Sequence, residues 1–162
     1  MKTGYAAPEK PSNDEFADAR IAIVSTRWNV EIVDALMDGA YRCLEDWGVP
    51  EDSVDEFYAP GAYEIPLAVS TLLQSGEYDG VVALGAVIRG DTPHFDFVAG
   101  ECSRGLMDVQ LRHDAPVGFG VLTVNTAEQA VERVGDGEDN KGYEAAAAML
   151  EMIRLIRSVA RD

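Results

Sequence analysis

The chain has 162 residues, 47% of them hydrophobic and 26% charged, which is the size and balance of one globular domain. Its 29 acidic residues against 13 basic ones give a formal charge of −16. That surface repels nucleic acid and anionic membranes, whose binding rests on phosphate neutralisation by Lys and Arg, so neither is expected as a partner. No apolar run approaches the roughly 20 residues of a membrane-spanning helix. The opening MKTGYAAPEKPSNDEF has no secretory apolar stretch, and a cytoplasmic protein is expected. Cys43 and Cys102 are the only cysteines and stand far apart, without the close Cys or His pair of a zinc site; they read as reduced, buried thiols.

Residues 1–19 are polar and carry Pro8 and Pro11, so they read as an N-terminal arm outside the core, ahead of a single domain over 20–162. The β-branched run IAIVST at 21–26 predicts a strand buried on both faces. Val30, Val33, Leu36, Met37, Ala40, Leu44 and Trp47 then recur at helical spacing, and Gly48 and Pro50 stop that helix. A short strand over 54–58 leads into the turn APGAYEIP, followed by a helix carrying Leu67, Ala68, Thr71 and Leu72. VVALGAVI at 81–88 is the most strand-like segment of the chain. After the loop RGDTPH comes a helix through Phe97, Gly100, Cys102, Leu106 and Val109. A strand over 117–124, a short helix over 127–134 and a long helix carrying Ala145, Met149, Met152, Ile153 and Ile156 complete the chain.

This alternation predicts an α/β fold: a three-layer αβα sandwich, flavodoxin-like, with a central four-stranded parallel sheet and helices on both faces. Ligands of such sheets bind beyond the carboxyl ends of the strands. That rule directs attention to the loops after Thr26, Tyr58, Ile88 and Val124.

Generic nucleotide motifs fail. GxxxxGK[ST] is absent, GFG at 118–120 lies inside a strand rather than at a strand-to-helix turn, and no GxSxG elbow occurs. What remains sits at the strand ends. The strand ending at Ile88 runs into Arg89-Gly90-Asp91-Thr92-Pro93-His94, and a loop ahead of a helix N-terminus favours a bound phosphate. Gly90 permits close approach, and the Thr92 hydroxyl can donate. His94, one of two histidines, either moves protons near neutral pH or is merely a loop residue. His113 lies in a polar turn and reads as solvated. Glu64, at a helix start, is a ligand-facing carboxylate or one favoured by the helix dipole. Trp28, beside Asn29, is a plate for stacking a heterocycle or a core or interface residue. Arg133 is a phosphate clamp or a solvated helix charge, and Lys141 is a second candidate for a ligand oxygen.

Together these segments resemble the lumazine synthase family. The resemblance is carried by PGAYEIPLA at 60–68, GAVIRGDTPHFDFVAGE at 85–101, GFGVLTVNTAEQAVERVG at 118–135 and NKGYEAA at 140–146, in the family's order and spacing, and it covers the chain from about Arg20 onward. It implies condensation of 5-amino-6-(D-ribitylamino)uracil with 3,4-dihydroxy-2-butanone 4-phosphate. The products are 6,7-dimethyl-8-ribityllumazine, phosphate and water, the penultimate step of riboflavin biosynthesis, formed without metal or organic cofactor.

The resemblance further implies that Trp28 stacks on the pyrimidine and that Ala62, Tyr63 and Glu64 line the ribityl chain. Ala86, Val87 and Ile88 would offer backbone groups to the pyrimidine edge, with Asn29 and Lys141 as its polar partners. Phe119 would pack on the ring from a neighbouring subunit. Asp91 and Thr92 would bind phosphate through backbone N–H groups, helped by Arg133 from that neighbour, and His94 would transfer protons. Because a carboxylate beside phosphate is repulsive, the Asp91 side chain is expected to point away. The implied assembly is a homopentamer with active sites between subunits, which in some members builds decamers or an icosahedral 60-subunit shell. The compact link 135–142 resembles the shell-forming members, and riboflavin synthase is a further implied partner. The alternatives are a non-catalytic flavin- or lumazine-binding shell protein of the same fold, an archaeal-type riboflavin synthase, and a flavodoxin-like electron carrier. The loop TRWNVE after the first strand lacks the Ser/Thr-rich character the electron carrier needs.

Overall fold

The computed structural model describes residues 4–12 and 14–160; residues 1–3 and 13 of the N-terminal arm, and 161–162, lie outside the described residues. Four strands, β1 (Ile21–Thr26), β2 (Val54–Ala59), β3 (Gly80–Ile88) and β4 (Val117–Val124), form one sheet in the order β2-β1-β3-β4. Every pairing is parallel. Among the described residues the α-helices are α1 (Val30–Asp46), α2 (Ile65–Gln74), α3 (His94–His113), α4 (Ala127–Val131) and α5 (Lys141–Val159).

Strand side chains alternate between faces, and both faces are covered. Ile21, Ile23, Val82 and Leu84 pack with Leu36 and Leu44 of α1 and Met149 and Leu150 of α5. Ala22, Val24, Val81 and Ala83 pack with Ile65 and Val69 of α2 and Cys102 and Leu106 of α3. This is the three-layer, flavodoxin-like sandwich expected from the alternating pattern. No helix among the described residues is long and apolar enough to cross a membrane.

Four boundaries differ from the sequence pattern, the smallest being β3, which begins at Gly80 rather than Val81. β2 extends to Ala59 because that residue still pairs with Thr26. α4 stops at Val131 rather than 134, since Arg133 and Val134 donate to carbonyls only three residues back, a tightening typical of a closing helix end. The arm does not lie wholly outside the core: Phe16 and Ala19 are buried in it. The Phe16 ring lies 5.9 Å from that of Trp47, and Arg154, which reaches over both rings, pairs in bidentate fashion with Glu15 at 2.9 and 3.0 Å. One aromatic residue in a polar stretch anchors its end.

The contact between α1 and α5 turns on Asn140, which is 1% exposed. Its Nδ2 donates to the carbonyls of Ala35 at 3.1 Å and Gly135 at 2.9 Å. Its Oδ1 accepts from the N–H groups of Gly142 at 2.7 Å and Tyr143 at 3.2 Å, capping α5. The helices meet so closely that a Cβ on Gly39 would stand 2.1 Å from Asn140 Oδ1, and one on Gly142 would stand 2.0 Å from the Leu36 carbonyl. The Gly118 of the GFG run serves packing too, for a Cβ there would lie 2.3 Å from the Ala145 carbonyl.

Both cysteines are buried and free. Burial raises the Cys102 thiol from its ordinary 9.0 to about 11. At Cys43, burial also raises the pKa, reinforced by Asp46.

Two outcomes are expected. Asn140→Ala removes a helix cap and strands buried partners, each effect worth about 1–3 kcal/mol, so the net loss should be about 3 kcal/mol. Asn140→Asp keeps the cap acceptor but sets a buried carboxylate against the Ala35 and Gly135 carbonyls, so it should lose at least as much. Urea unfolding at fixed protein concentration checks both. For Cys102, a folded pKa above the unfolded one means that the contribution is complete below about pH 9 and is lost as pH rises toward 11. The urea midpoint should therefore fall across that window, less so in Cys102→Ala, and iodoacetamide should label the native thiol slowly at pH 8.

Candidate functional site

Because all strands run parallel, the loops after β1, β2, β3 and β4 gather at one end of the sheet. After β1, Trp28 stands 68% exposed. Asn29 follows with φ 55°, the left-handed conformation that Asn tolerates better than most residues, and opens α1. The Asn29 Nδ2 donates to the Ala86 carbonyl at 3.1 Å, so this amide ties the first loop to β3. The Ala86 carbonyl, expected to face a pyrimidine, thus already accepts from a side chain of the same chain.

After β2, Gly61 leads into a 3-10 turn, Ala62–Glu64, and then α2. A Cβ on Gly61 would meet Trp28 Cδ1 at 3.3 Å and Glu64 Oε2 at 3.4 Å. The Trp28 ring and the Glu64 carboxylate therefore converge on one bare stretch of backbone. Glu64 precedes α2, but its side chain makes no capping hydrogen bond. Ala62 is buried while Tyr63 is 63% exposed. Along β3 the burial relaxes from Ala86 to the half-buried Val87 and Ile88, then to exposed Arg89 and Gly90.

In the next loop Asp91 and Thr92 are exposed. His94, assigned to the loop by the sequence pattern, is the exposed first residue of α3, and its N–H donates to Thr92 Oγ1 at 3.4 Å. A helix N-terminus with the Thr92 hydroxyl and an imidazole beside it can hold an anion and move a proton next to it. After β4, Thr126 and Gln129 form a reciprocal capping box on α4, with Gln129 N–H donating to Thr126 Oγ1 at 3.1 Å.

Phe119, Arg133 and Lys141 form a second group. Phe119, 46% exposed, lies on β4, one of the two edge strands. It lines a cavity of about 420 Å³ together with Val117, Lys141 and Met149. An adjoining cavity of about 750 Å³ is lined by Tyr5, Trp47, Arg133, Lys141 and Tyr143. Both cavities include Lys141 and Glu144, and neither includes a residue of the first three strand-end loops. Arg133 Nη1 donates to the Gln129 carbonyl at 2.8 Å, Lys141 pairs with Glu144, and the Lys141 N–H donates to the Arg133 carbonyl at 2.9 Å. Within the chain, then, the candidate residues fall into two groups: Trp28 through His94 around the strand ends, and Phe119 on β4, Arg133 just past α4 and Lys141 at the start of α5.

Among the described residues no group of His, Cys, Asp and Glu is arranged to hold a metal ion. Sequence reasoning passed over Asn140, which starts α5, and Arg89, which binds Asn125 and Asp96. Asn ahead of a helical stripe is a capping signal, as is Thr126-x-x-Gln129; nothing local announces Arg89.

A family model for 6,7-dimethyl-8-ribityllumazine synthase matches residues 18–157. The chain is also 51% identical over 144 residues to a protein of Helicobacter hepaticus named 6,7-dimethyl-8-ribityllumazine synthase, an overlap of 89% of this chain and 92% of that one. Motifs, sheet and comparisons agree: the chain belongs to the 6,7-dimethyl-8-ribityllumazine synthase family.

Proposed function

We propose that the protein is a transferase of riboflavin biosynthesis that condenses 5-amino-6-(D-ribitylamino)uracil with 3,4-dihydroxy-2-butanone 4-phosphate. The observation that carries this reading is the convergence of Trp28 and Glu64 at Gly61, at the sheet end where His94 opens α3. Trp28 stacks on the pyrimidine, and Ala62, Tyr63 and Glu64 line the ribityl chain, its hydroxyls donating to the carboxylate. The backbone of Ala86, Val87 and Ile88 meets the pyrimidine edge, with Asn29 beside it. Asp91 and Thr92 take the phosphate through backbone N–H groups, and the Asp91 carboxylate turns away.

The arylamine attacks the ketone, and loss of water gives an imine. Phosphate leaves by elimination, and the ribityl-bearing amine closes the ring with loss of a second water. None of these steps demands a strong nucleophile. They need two reactants held together, worth about 7–11 kcal/mol in favourable cases, and timed proton transfer, worth ~10²–10⁴-fold. His94 supplies the proton transfer.

Phe119, Arg133 and Lys141 complete the site of a neighbouring subunit. This is supported by their lining two adjoining cavities that share Lys141 and Glu144 and include no residue of the first three strand-end loops, and by the exposure of Trp28 and Tyr63. The assembly is a cyclic pentamer, with the compact link 135–142 favouring further growth into an icosahedral shell in the cytoplasm and riboflavin synthase as a partner.

Fluorescence of the lumazine product, followed with the two substrates, tests the activity. His94→Ala should slow turnover about 10²-fold without abolishing it. An unchanged rate removes His94 from the mechanism, and a folded, oligomeric wild type without product points to a non-catalytic binder. Shared sites have a separate consequence. Co-expressed His94→Ala and Arg133→Ala chains should regain activity, because about a quarter of randomly mixed cyclic interfaces pair the two intact residues. Sites confined to one subunit would show no recovery.

A further inference from the structure

Arg89 is the residue at which β3 becomes the loop to α3, and it is held at several points. Its N–H donates to the Val124 carbonyl at 2.9 Å, carrying the β3–β4 ladder one residue past the strand. Its Nε donates to Asn125 Oδ1 at 3.0 Å, and its Nη2 donates to Asp96 Oδ1 at 3.2 Å. The guanidinium carbon lies 4.3 Å from the centroid of the Phe95 ring. Asn125 is itself fixed, since its N–H donates to Gln129 Oε1 at 2.7 Å beside the capping box of α4.

Phe95 and Asp96 are the two residues that follow His94. One planar fork thus joins the end of β4 to the first turn of α3, spanning the loop that carries Gly90, Asp91 and Thr92. A fork with fixed donor directions can restrain orientation in a way a flexible ammonium cannot. Asp96 balances the Arg89 charge, and Phe95 covers one face of the guanidinium, so the side chain, though partly exposed, has its donors engaged by the protein. A single exposed ion pair of this kind would contribute little to stability. The contribution here is geometric.

We propose that Arg89 is a positioning residue: by clamping Phe95 and Asp96 to Asn125, it sets the first turn of α3 so that His94 and the loop N–H groups meet the phosphate-bearing substrate. The proposal rests on the functional reading above. It differs from a simple attraction between Arg89 and phosphate, because Asn125→Ala, which leaves the cation in place, should reproduce the defect.

Steady-state kinetics, with each substrate varied in turn, tests this on the assembled protein. Arg89→Ala and Asn125→Ala should each raise KM for the butanone phosphate about tenfold, a scale consistent with small misplacements of a reacting group. KM for the ribitylaminouracil should stay within about twofold, because that ligand's groups lie on the loops after β1 and β2 and on β3 itself, whose end is held by its pairing with β4. Inhibition by inorganic phosphate should weaken in parallel. Arg89→Lys should not rescue, and the double variant Arg89→Ala/Asn125→Ala should be no worse than Arg89→Ala alone, the mark of one shared interaction.

Full rescue by Lys would mean that charge alone matters, and equal rises in both KM values would mean a general structural role; either overturns the proposal, as do unchanged constants. If Arg89→Ala fails to assemble, Asn125→Ala carries the test. An active wild type with unaltered variants defeats the proposal alone, whereas a wild type that makes no lumazine defeats the functional reading first.

Discussion

β1 and β3 are buried on both faces, and the two faces are not alike. One meets Ile21, Ile23 and Leu84, the other Ala22, Val24 and Ala83. A one-residue slip would drive large side chains into the layer built for small ones and leave voids opposite, and both errors are costly in a close-packed interior. Register is therefore fixed by size as well as polarity. With the strands unable to slide, Thr26 stays level with Ala59 and Ile88 with Val124. The loops that follow are delivered at set heights around one rim. The Asn29–Ala86 and Arg89–Asn125 hydrogen bonds are refinements on that frame, for side chains of such reach can link loops only when the strands below hold still.

A strand buried on both faces must be largely apolar or β-branched, and so β1 was legible as a continuous β-branched run. The rim was legible too, because parallel strands put their carboxyl ends together whatever the loops contain. Local pattern told less where a partner from elsewhere decides. Phe16 lay in a polar stretch and joined the core only because Trp47 and Arg154 were there to receive it. Asn140 caps α5 as its type suggests, but its two donor bonds go to Ala35 and Gly135. Arg89 looked like one more charge beside a glycine. The division of the candidate site into two groups was not visible in composition or spacing. Only the resemblance of the motifs suggested it.

The net charge of −16 sits awkwardly with a phosphorylated substrate until distance is considered. In physiological salt the field of a surface charge fades over about 8 Å, so carboxylates scattered around the surface oppose an approaching anion weakly and one at a time. A bound phosphate would instead feel the groups in direct contact with it. Near the rim these include the N-terminus of α3 and the Thr92 hydroxyl, and the proposed arrangement adds an arginine from a neighbour. Donors held in fixed directions require no rearrangement as charge develops, which is why preorganised N–H groups outweigh a diffuse field of the opposite sign.

The same reasoning explains why Arg89 suits the scaffold better than the ligand. A second cation added to the arginine already proposed at the anion site would bind reactant and departing phosphate alike, lowering KM with little further gain in the transition state. A cation engaged by Asp96 and stacked on Phe95 leaves the contact to backbone donors, whose position it controls. In an acidic chain with 13 basic residues, using one of them to aim a helix rather than to touch the substrate makes geometry, more than charge, the source of selectivity.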